Sequence, residues 1–375
     1  MTEKKSEQQY EVVIIGGGPA GSATAIQLLR SGIRSVLIVE KGTYSESRVG
    51  ESLPPNTNNL LRQLGVWDDF QKEGHLMVSG SCSIWGSDEA GYNDYFVNPT
   101  GFGWHLDRNR FDRFMVNQAL AVGAELRLNT SFKKSFINNS AEGFYLDIES
   151  PDGYAEQIQA RFVVDASGMK AVFARNIPAE REIVDRLIFV SGFFELPDSI
   201  SLTSLTLLEA VEYGWWYMAT LPDNRVIAAL ATDPEVVSAY KLGEPENWFA
   251  LLMSLRILPQ HIKPHLRLKE KLMVSPALSS YLQEPCGNNW LAVGDAASSY
   301  DPIMSLGIYK SMLTGMEAGK MIAFKYSGAG YDPDSYKTFL RNDFRKYGES
   351  RNYFYALENR WPDSPFWKRR KTNKC

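Results

Sequence analysis

The sequence is poor in cysteine and histidine. Its 375 residues include three cysteines, Cys82, Cys286 and Cys375, and four histidines. The cysteines are far apart, and the sequence has no Cys-x-x-Cys pair and no Cys/His spacing of the kind that binds zinc. This pattern argues against a disulfide framework and favours a reducing compartment. No metal site is predicted.

Long apolar runs and an excess of one charge are also missing. No apolar segment reaches the ~20 residues that span a bilayer, and Met1–Lys5 lead into the first strand without the apolar core of a signal peptide. The formal net charge is −4, and basic residues cluster at Lys368–Lys371 near the end of the chain. We therefore expect a cytoplasmic protein that binds neither membranes nor nucleic acid.

The glycine-rich segment near the start of the chain has the spacing of a dinucleotide-binding loop. It places Gly16, Gly18 and Gly21 between an apolar strand and a helix. A pyrophosphate needs these glycines for the tight turn, for close backbone approach and for helix packing. Glu40 ends the next strand, about 20 residues further on, where a carboxylate can accept from ribose hydroxyls or simply face solvent. NAD and FAD sites share this pattern.

Periodicity and turn residues divide the rest of the chain into helices, strands and one long polar loop. The alternating apolar strands suggest a second, antiparallel sheet. The predicted strands are Val12–Ile15, Ser35–Val39, Ala160–Val164 and Trp290–Val293, with short alternating strands within 78–97 and 187–232. The predicted helices are Ala20–Arg30, Leu60–Gln71, Arg110–Val122 and Leu306–Phe324, and the loop is Thr43–Asn59.

A second constellation lies near residue 300. The Gly294-Asp295 pair follows a predicted strand, and Pro302 and Gly307 stand close to the start of a predicted helix. These residues resemble the flavin monooxygenase superfamily, which includes aromatic hydroxylases, flavin-dependent halogenases and geranylgeranyl reductases. The resemblance implies that Asp295 binds the ribityl chain of FAD and that Pro302 lies beside the isoalloxazine ring. The backbone of Gly307 and Ile308 would face the pyrimidine edge of the ring.

Further segments resemble the same superfamily, so the likeness covers nearly the whole chain. They are the Gly-Glu-Ser loop at 48–54, the Arg-x-x-Phe-Asp segment at 108–112, the Asp-Ala-Ser-Gly turn at 165–168 and the tail at 355–370. Arg108 would contact FAD or form a surface ion pair, and Asp165 would contact FAD or cap a turn. The residues that we expect to bind FAD are Gly16, Gly18, Ala20, Gly21, Glu40, Lys41, Arg48, Glu51, Ser52, Arg108, Asp165, Gly294, Asp295, Pro302, Gly307 and Ile308.

These motifs and the resemblance together predict an α/β fold with two interleaved domains. A Rossmann-like FAD-binding domain with a parallel central sheet would comprise residues 1–77, 98–180 and 276–328. An antiparallel-sheet substrate domain would comprise residues 78–97 and 181–275. Residues 329–375 would form a C-terminal helical tail.

Flavin-dependent halogenases carry a lysine after the Gly-Glu-Ser loop. When this chain is aligned on Trp85-Gly86, Val78 stands at that position, and the nearest lysine is Lys72. The Gly-Trp-x-Trp-x-Ile-Pro motif of halogenases is only partly present, at 214–219. Halogenation of an aromatic substrate is therefore the less favoured alternative.

The chain most resembles the flavoproteins that mature cysteine tryptophylquinone enzymes of the glycine or lysine oxidase type. The resemblance implies an FAD-dependent monooxygenase that hydroxylates an aromatic ring through a flavin C4a-hydroperoxide. The substrate would be a tryptophan side chain in a quinone-cofactor oxidase precursor. The reaction needs O2 and electrons from a reduced nicotinamide or a separate flavin reductase. A geranylgeranyl-reductase-like FAD reductase and a non-catalytic flavoprotein scaffold remain alternatives.

Four residues are candidates for direct participation in catalysis. Trp215 and Tyr217 could face the substrate with Trp216, although alternate residues of a strand must face the core. His105 could act as a base or bind an indole N–H, and it could equally be a structural residue. Lys310 could tune the flavin electrostatically or reach solvent.

Overall fold

A computed structural model describes residues 8–138, 143–177 and 179–372. Met1–Lys5 and Cys375, which entered the sequence arguments, lie outside the described residues.

The strands of the described chain follow one another in this order: β1 (Gln9–Ile15), β2 (Val36–Val39), β3 (Ser52–Leu53), β4 (Leu76–Val78), β5 (Gly80–Ile84), β6 (Ala90–Asp94), β7 (Gly103–His105), β8 (Glu125–Arg127), β9 (Ser131–Ile137), β10 (Phe144–Glu149), β11 (Ala155–Asp165), β12 (Arg181–Glu195), β13 (Thr206–Val211), β14 (Gly214–Leu221), β15 (Arg225–Thr232), β16 (Arg267–Leu268), β17 (Met273–Leu282), β18 (Cys286–Gly287), β19 (Trp290–Ala292) and β20 (Ser298–Ser299).

The α-helices of the same ranges are α1 (Pro19–Arg30), α2 (Thr57–Gln63), α3 (Trp67–Phe70), α4 (Arg108–Ala121), α5 (Pro234–Ala239), α6 (Pro245–Ser254), α7 (Gly307–Tyr326), α8 (Pro333–Leu357) and α9 (Pro365–Thr372). Short 3-10 helices occur at Gly168–Lys170, Ala174–Asn176, Lys263–His265, Gly294–Ala296 and Pro302–Met304. No helix within the described ranges is long and apolar enough to cross a membrane.

A sheet with a parallel centre contains the strands predicted for the FAD-binding domain. Its strand order is β18-β19-β11-β1-β2-β8, and β19, β11, β1, β2 and β8 run parallel, as the sequence predicts. Ile15 stands opposite both Val39 and Asp165, and Asp165 stands opposite Ala292. The carboxyl ends of four strands therefore meet at one edge, where open α/β sheets bind ligands.

The second sheet is mainly antiparallel, with the order β20-β17-β12-β15-β14-β13-β5-β6 and with β16 paired to β12. It contains the two predicted segments of the substrate domain. Strand β17 pairs with β12 along most of its length. The predicted domain boundary at residue 276 therefore falls inside this strand, and residues 276–282 lie in the antiparallel sheet.

Helices α1 and α7 pack closely because glycine lines the contact. A Cβ added at Gly315 would lie 2.4 Å from the carbonyl oxygen of Ala20, and one added at Gly319 would lie 2.8 Å from Gln27. The backbone N–H of Gly294 donates to Thr314 of α7 over 2.9 Å. These contacts tie the first turn of α1, the middle of α7 and the Gly294 turn into one unit.

The segment before β4 differs from the sequence prediction. The predicted helix Leu60–Gln71 is two helices, α2 and α3, because Gly65 between them has a φ of +59°, which a helix cannot accommodate. The predicted loop Thr43–Asn59 also contains β3 and the start of α2. Strand β3 pairs with β7 in a small third sheet.

The C-terminal tail packs against the antiparallel sheet. Tyr355, Phe366 and Trp367 are buried in one apolar cluster with Trp215 of the sheet. Arg370, from the basic cluster at 368–371, is 1% exposed and pairs with Asp185 and Asp233. Of the four basic residues of this cluster, Arg370 is therefore part of the core, whereas Lys368 is exposed.

Candidate functional site

A cavity of about 710 Å³ lies where the carboxyl edge of the parallel sheet meets one face of the antiparallel sheet. At one end it is lined by the glycine loop and the residues that follow β2. At the other end it is lined by side chains of β12, β14, β15 and β17. The two ends differ in chemistry: polar and backbone groups line the first, and mainly apolar side chains line the second.

The glycines of the loop have different neighbours. Gly16 has a φ of +112°, and a Cβ there would lie 2.4 Å from the carbonyl oxygen of Ala166. A Cβ at Gly21 would lie 2.0 Å from the carbonyl oxygen of Gly16. At Gly18, in contrast, an added Cβ would meet no atom within 4 Å. Gly16 and Gly21 are thus required by the fold, whereas Gly18 keeps space open in the cavity.

Glu40 is a buried carboxylate that braces this loop. It is 4% exposed, accepts from the backbone N–H of Gly17 over 2.7 Å, and accepts from that of Gly42 over 2.8 Å. It lines the cavity, so the alternative of a solvated strand-end acid does not hold. Carboxylate oxygens accept more than one hydrogen bond, so Glu40 retains acceptor capacity for a hydroxyl.

Arg108 fastens the Gly-Glu-Ser loop. Its guanidinium donates to the carbonyl oxygens of Val49 over 2.8 Å and Gly50 over 3.0 Å, and it pairs with buried Asp112 over 3.2 Å. Arg48 pairs with the same Asp112 carboxylate over 3.3 Å. Both arginines line the cavity. The ion pair of Arg108 is with a buried carboxylate, not a partner at the surface.

Asp295 reaches the cavity while a buried lysine holds it in place. The Lys310 ammonium lies 2.6 Å from Asp295 Oδ1, donates to the carbonyl oxygen of Ser298 and stands 4.4 Å from the centre of the Tyr300 ring. Lys310 is 1% exposed, and the Asp295 side chain is 39% exposed. Lys310 therefore does not reach solvent, and it contacts the cavity through Asp295.

The start of α7 lines the cavity beside Asp295. Pro302, Gly307 and Ile308 are lining residues, and a Cβ at Gly307 would meet no atom within 4 Å. The first N–H groups of a helix have no partner within it and carry partial positive charge. This helix end suits an electron-rich ring edge.

Residues of the antiparallel sheet form the apolar end of the cavity. Trp215 and Tyr217 of β14 line it, whereas Trp216 packs on the opposite face against Trp248, with ring centres 5.0 Å apart. Successive side chains of a strand point to opposite faces of the sheet, so Trp215 and Tyr217 share the cavity face and Trp216 lies on the other. The other apolar side chains from this sheet are Phe189, Ile227, Ala229, Pro276 and Ala277.

A small polar cluster interrupts this apolar end. The hydroxyl groups of Ser52 and Tyr217 lie 2.9 Å apart. Glu51, beside them, is 2% exposed, and its Oε1 has no hydrogen-bond partner among the described residues. Burial raises the pKa of Glu51 to about 7, although the nearby charge of Arg108 lowers it. Burial and the charge of Glu51 raise the pKa of Tyr217 well above its usual value.

Comparisons with known proteins agree with this geometry. The family described as the FAD binding domain matches residues 9–338. The chain belongs to this FAD-binding family. It is 27% identical to LodB of Marinomonas mediterranea, a protein named as an FAD-dependent oxidoreductase, over 97% of each chain. FAD is therefore the cofactor, and the protein is an FAD-dependent oxidoreductase.

Two solved structures show the same fold. The myxobacterial chondrochloren halogenase CndH has a TM-score of 0.86 and 23% identity, covering 97% of this chain and 86% of that one. The peptidyl tryptophan dihydroxylase QhpG, essential for tryptophylquinone cofactor biogenesis, has a TM-score of 0.72 and 21% identity, covering 97% of this chain and 79% of that one. Flavin enzymes with different chemistry thus share this architecture.

The shape and polarity of the cavity fit FAD. The open space at Gly18 lies next to the start of α1, where a pyrophosphate is favoured by unpaired N–H groups. Open space at Gly307 gives a ring system the same close approach to backbone at the start of α7. Asp295, which also lines the cavity, presents a partly exposed carboxylate. The described chain therefore offers separate sites to the phosphates, the polyol and the ring.

Some predicted site residues do not line the cavity. These are Gly21, His105, Asp165, Gly294 and Lys310. Asp165 caps a turn instead, because its carboxylate accepts from the backbone N–H groups of Ser167, Phe173 and Ala174. Gly21 and Gly294 serve helix packing.

His105 is a structural residue in this fold. It is 0% exposed, its Nε2 lies 2.8 Å from Thr206 Oγ1, and burial lowers its pKa to about 4. A histidine with so low a pKa is a weak base, and His105 lies away from the cavity. The prediction of a catalytic base at His105 is therefore not supported by its position.

Sequence reasoning missed several residues of the site. Asp112 pairs with Arg48 and Arg108. It belongs to the Arg-x-x-Phe-Asp segment, so the sequence motif could have identified it. Phe189, Ile227 and Ala229 lie in strands whose alternation was recognised, but alternation does not say which face meets the cofactor. Pro276 and Ala277 could not be identified as site residues, because the sequence analysis predicts no strand at β17.

Proposed function

We propose that this protein is an FAD-dependent monooxygenase that hydroxylates a tryptophan side chain of a partner polypeptide, an oxidase precursor in tryptophylquinone biogenesis. The reaction converts a ring C–H bond to C–OH, consumes O2, two electrons and two protons, and releases water. A reduced nicotinamide or a flavin reductase supplies the electrons. Bound FAD supplies the redox chemistry with O2. The protein positions the ring and excludes water.

The observation that carries this proposal is the chemistry of the apolar end of the cavity. Trp215, Tyr217 and Phe189 offer aromatic faces and edges to a flat ring. Among the described residues that line the cavity, the lysines are Lys41 and Lys170. Both follow strands of the parallel sheet, on the cofactor side. A halogenase lysine captures hypohalous acid, and among the described residues the apolar end of the cavity has no lysine to do so.

The residues at and nearest to the position of the halogenase lysine both lie away from the cavity. Val78, which aligns with it, is buried in β4 and does not line the cavity. Lys72 pairs with Asp69 at the surface, where its side chain is 74% exposed. Neither residue can deliver a halogenating species to the ring, and this favours hydroxylation over halogenation.

One structural neighbour supports the substrate class. QhpG is a peptidyl tryptophan dihydroxylase, so a protein of this fold acts on tryptophan within a polypeptide. We infer that the partner polypeptide brings its tryptophan to the apolar end of the cavity.

The test is a product analysis in the presence of halide. The purified holoprotein is supplied with an electron donor, O2, bromide and a candidate oxidase precursor, and the precursor is then weighed by mass spectrometry. Hydroxylation predicts added oxygen and no bromine. Added bromine would establish the halogenase alternative, and an unmodified precursor with rapid flavin reoxidation would contradict the proposal.

A further inference from the structure

Tyr44, in the segment that follows β2, is a buried residue with an unusual backbone conformation. It is 3% exposed and has a φ of +60°. A left-handed backbone costs free energy for a bulky side chain, and it persists where surrounding contacts determine it. One such contact is the hydrogen bond that Arg113 of α4 donates to the carbonyl oxygen of Tyr44 over 3.3 Å. A second contact joins the Tyr44 side chain to the glycine loop.

Gly17, in the glycine loop, is held by hydrogen bonds at both its carbonyl oxygen and its N–H. The Tyr44 hydroxyl donates to the carbonyl oxygen over 2.9 Å, and the Ser22 hydroxyl donates to the same oxygen over 3.1 Å. The N–H of Gly17 donates to Glu40 over 2.7 Å. A Cβ at Gly17 would overlap the Tyr44 hydroxyl, so this close approach requires glycine. Gly17 therefore has a fixed orientation.

The orientation of Gly17 determines where the next N–H group points. The Gly17–Gly18 peptide bond is trans, and in a trans peptide the C=O and the following N–H point in opposite directions. Tyr44 and Ser22, which bind the carbonyl oxygen, do not line the cavity, whereas Gly18 lines it and is partly exposed. The Gly18 N–H therefore points to the cavity side. Within the described ranges it has no hydrogen-bond partner.

We propose that Tyr44 is a positioning residue for the cofactor, because its hydroxyl holds the Gly17 carbonyl oxygen and so directs the Gly18 N–H at the pyrophosphate of FAD. The open space at Gly18 leaves room for a phosphate oxygen to approach this N–H. A donor that is already oriented loses less freedom on binding than one that must first be ordered, so the affinity is higher. Tyr44 acts through Gly17 and does not itself touch FAD.

The hydroxyl of Tyr44 remains a donor at neutral pH. Burial raises its pKa, and the nearby charges of Glu40 and Asp112 raise it further, whereas the charge of Arg48 lowers it. A phenolate could accept a hydrogen bond but could not donate one to a carbonyl oxygen. The bond to Gly17 is therefore present under the conditions in which FAD binding is measured.

The test uses Tyr44→Phe, which keeps the ring and removes only the hydroxyl. The FAD dissociation constant is measured from the fluorescence of FAD released when the holoprotein is diluted, and we expect it to rise about fivefold. At saturating FAD, we expect the phosphorus NMR signals of the bound pyrophosphate to shift and the visible absorption spectrum of the flavin ring to stay the same. An unchanged dissociation constant would overturn the inference.

The two spectra separate positioning from a merely structural role. Weaker binding with unchanged phosphorus signals would show that the hydroxyl does not act on the pyrophosphate. Weaker binding with shifts in both the phosphorus signals and the ring spectrum would show a general loosening of the site. Either result would overturn the inference.

Tyr326→Phe is the matched control. The Tyr326 hydroxyl also donates to a backbone carbonyl oxygen, that of Glu11 near the start of β1, over 3.0 Å. This variant should leave the FAD dissociation constant and both spectra unchanged. An equal rise in its dissociation constant would contradict the specific role of Tyr44, since the loss of any such bond would then weaken FAD binding.

Ser22→Ala decides if Tyr44→Phe does not fold. It removes the other hydrogen bond to the Gly17 carbonyl oxygen, so the phosphorus signals should shift while the ring spectrum stays the same. Unchanged phosphorus signals would then overturn the inference. These outcomes concern FAD binding alone and are independent of the substrate that the protein oxidises.

Discussion

Gly16 and Gly18 belong to one loop, but Gly16 is needed for the stability of the fold and Gly18 for the binding of FAD. Gly18→Val projects into open cavity space, whereas Gly16→Ala forces a Cβ against the Ala166 carbonyl from a φ of +112°. We expect Gly18→Val to keep the stability of the FAD-free protein within ~0.5 kcal/mol and to weaken FAD binding at least ~tenfold. Gly16→Ala should destabilise the fold by about 1–3 kcal/mol.

Urea unfolding of the FAD-free proteins and FAD titration by fluorescence separate the two effects. Each variant is the control for the other. Equal loss of stability in both would show that the space at Gly18 is needed by the fold and is not kept for the cofactor.

Lys310 acts on the cofactor site through Asp295. Lys310→Met removes the ammonium that lies 2.6 Å from the carboxylate, so the Asp295 side chain loses its fixed position. Because Asp295 is partly exposed, we expect a moderate effect, an increase of about tenfold in the FAD dissociation constant. Lys320→Met on the same helix removes a surface pair with Glu317 and serves as the control. An unchanged dissociation constant for Lys310→Met would contradict this role.

Residue types alone could not predict the position of Lys310. Lysine on a long helix usually extends to solvent, and this lysine is buried because Asp295, the Ser298 carbonyl and the Tyr300 ring surround its ammonium. Those partners lie on a turn that the helix meets only in the folded chain. The positions of Gly16 and Glu40 at the cavity, in contrast, follow from their spacing around one local unit.

At the scale of elements, the packing of α7 on α1 sets the shape of the cofactor site. Gly315→Ala places a Cβ 2.4 Å from the Ala20 carbonyl oxygen, so α7 must move away from the first turn of α1. We expect a loss of about 1–3 kcal/mol in the free energy of unfolding together with weaker FAD binding. Thermal unfolding measures the first effect and FAD titration the second.

The control for this prediction is Gly243→Ala, an exposed position where an added Cβ meets no atom within 4 Å. It should change neither quantity. If Gly315→Ala leaves both at the wild-type value, the close contact does not determine the relative position of α1 and α7.

The elements were predicted best where one local pattern decides them. Strand β1, the glycine loop and α1 follow from an apolar run, a glycine spacing and helical periodicity. Helix Leu60–Gln71 was predicted as one element because its apolar spacing continues across Gly65, and only the left-handed backbone at that residue divides it. Strand β17 was missed, since its pairing with β12 depends on residues ~90 positions apart.

At the scale of the whole molecule, the tail and the antiparallel sheet are joined by buried charges. Arg370 pairs with Asp185 and Asp233, and all three side chains are nearly inaccessible to solvent. Arg370→Met leaves two buried carboxylates less well compensated, and we expect a loss of about 3–5 kcal/mol in unfolding free energy. Urea denaturation measures this loss.

Lys368→Met, on the exposed side of the same helix, is the matched control and should be neutral. A neutral Arg370→Met would show that apolar packing of Phe366 and Trp367 alone holds the tail on the sheet.

The central claim is that this FAD-dependent oxidoreductase inserts oxygen into tryptophan of a partner polypeptide. The most direct measurement supplies isotopically labelled O2 to the holoprotein with an electron donor and a candidate oxidase precursor, and then locates the label by tandem mass spectrometry. The account predicts labelled oxygen on a tryptophan ring, and none when that tryptophan is replaced by phenylalanine. Label that appears only in water or hydrogen peroxide, with the precursor unchanged, would contradict it.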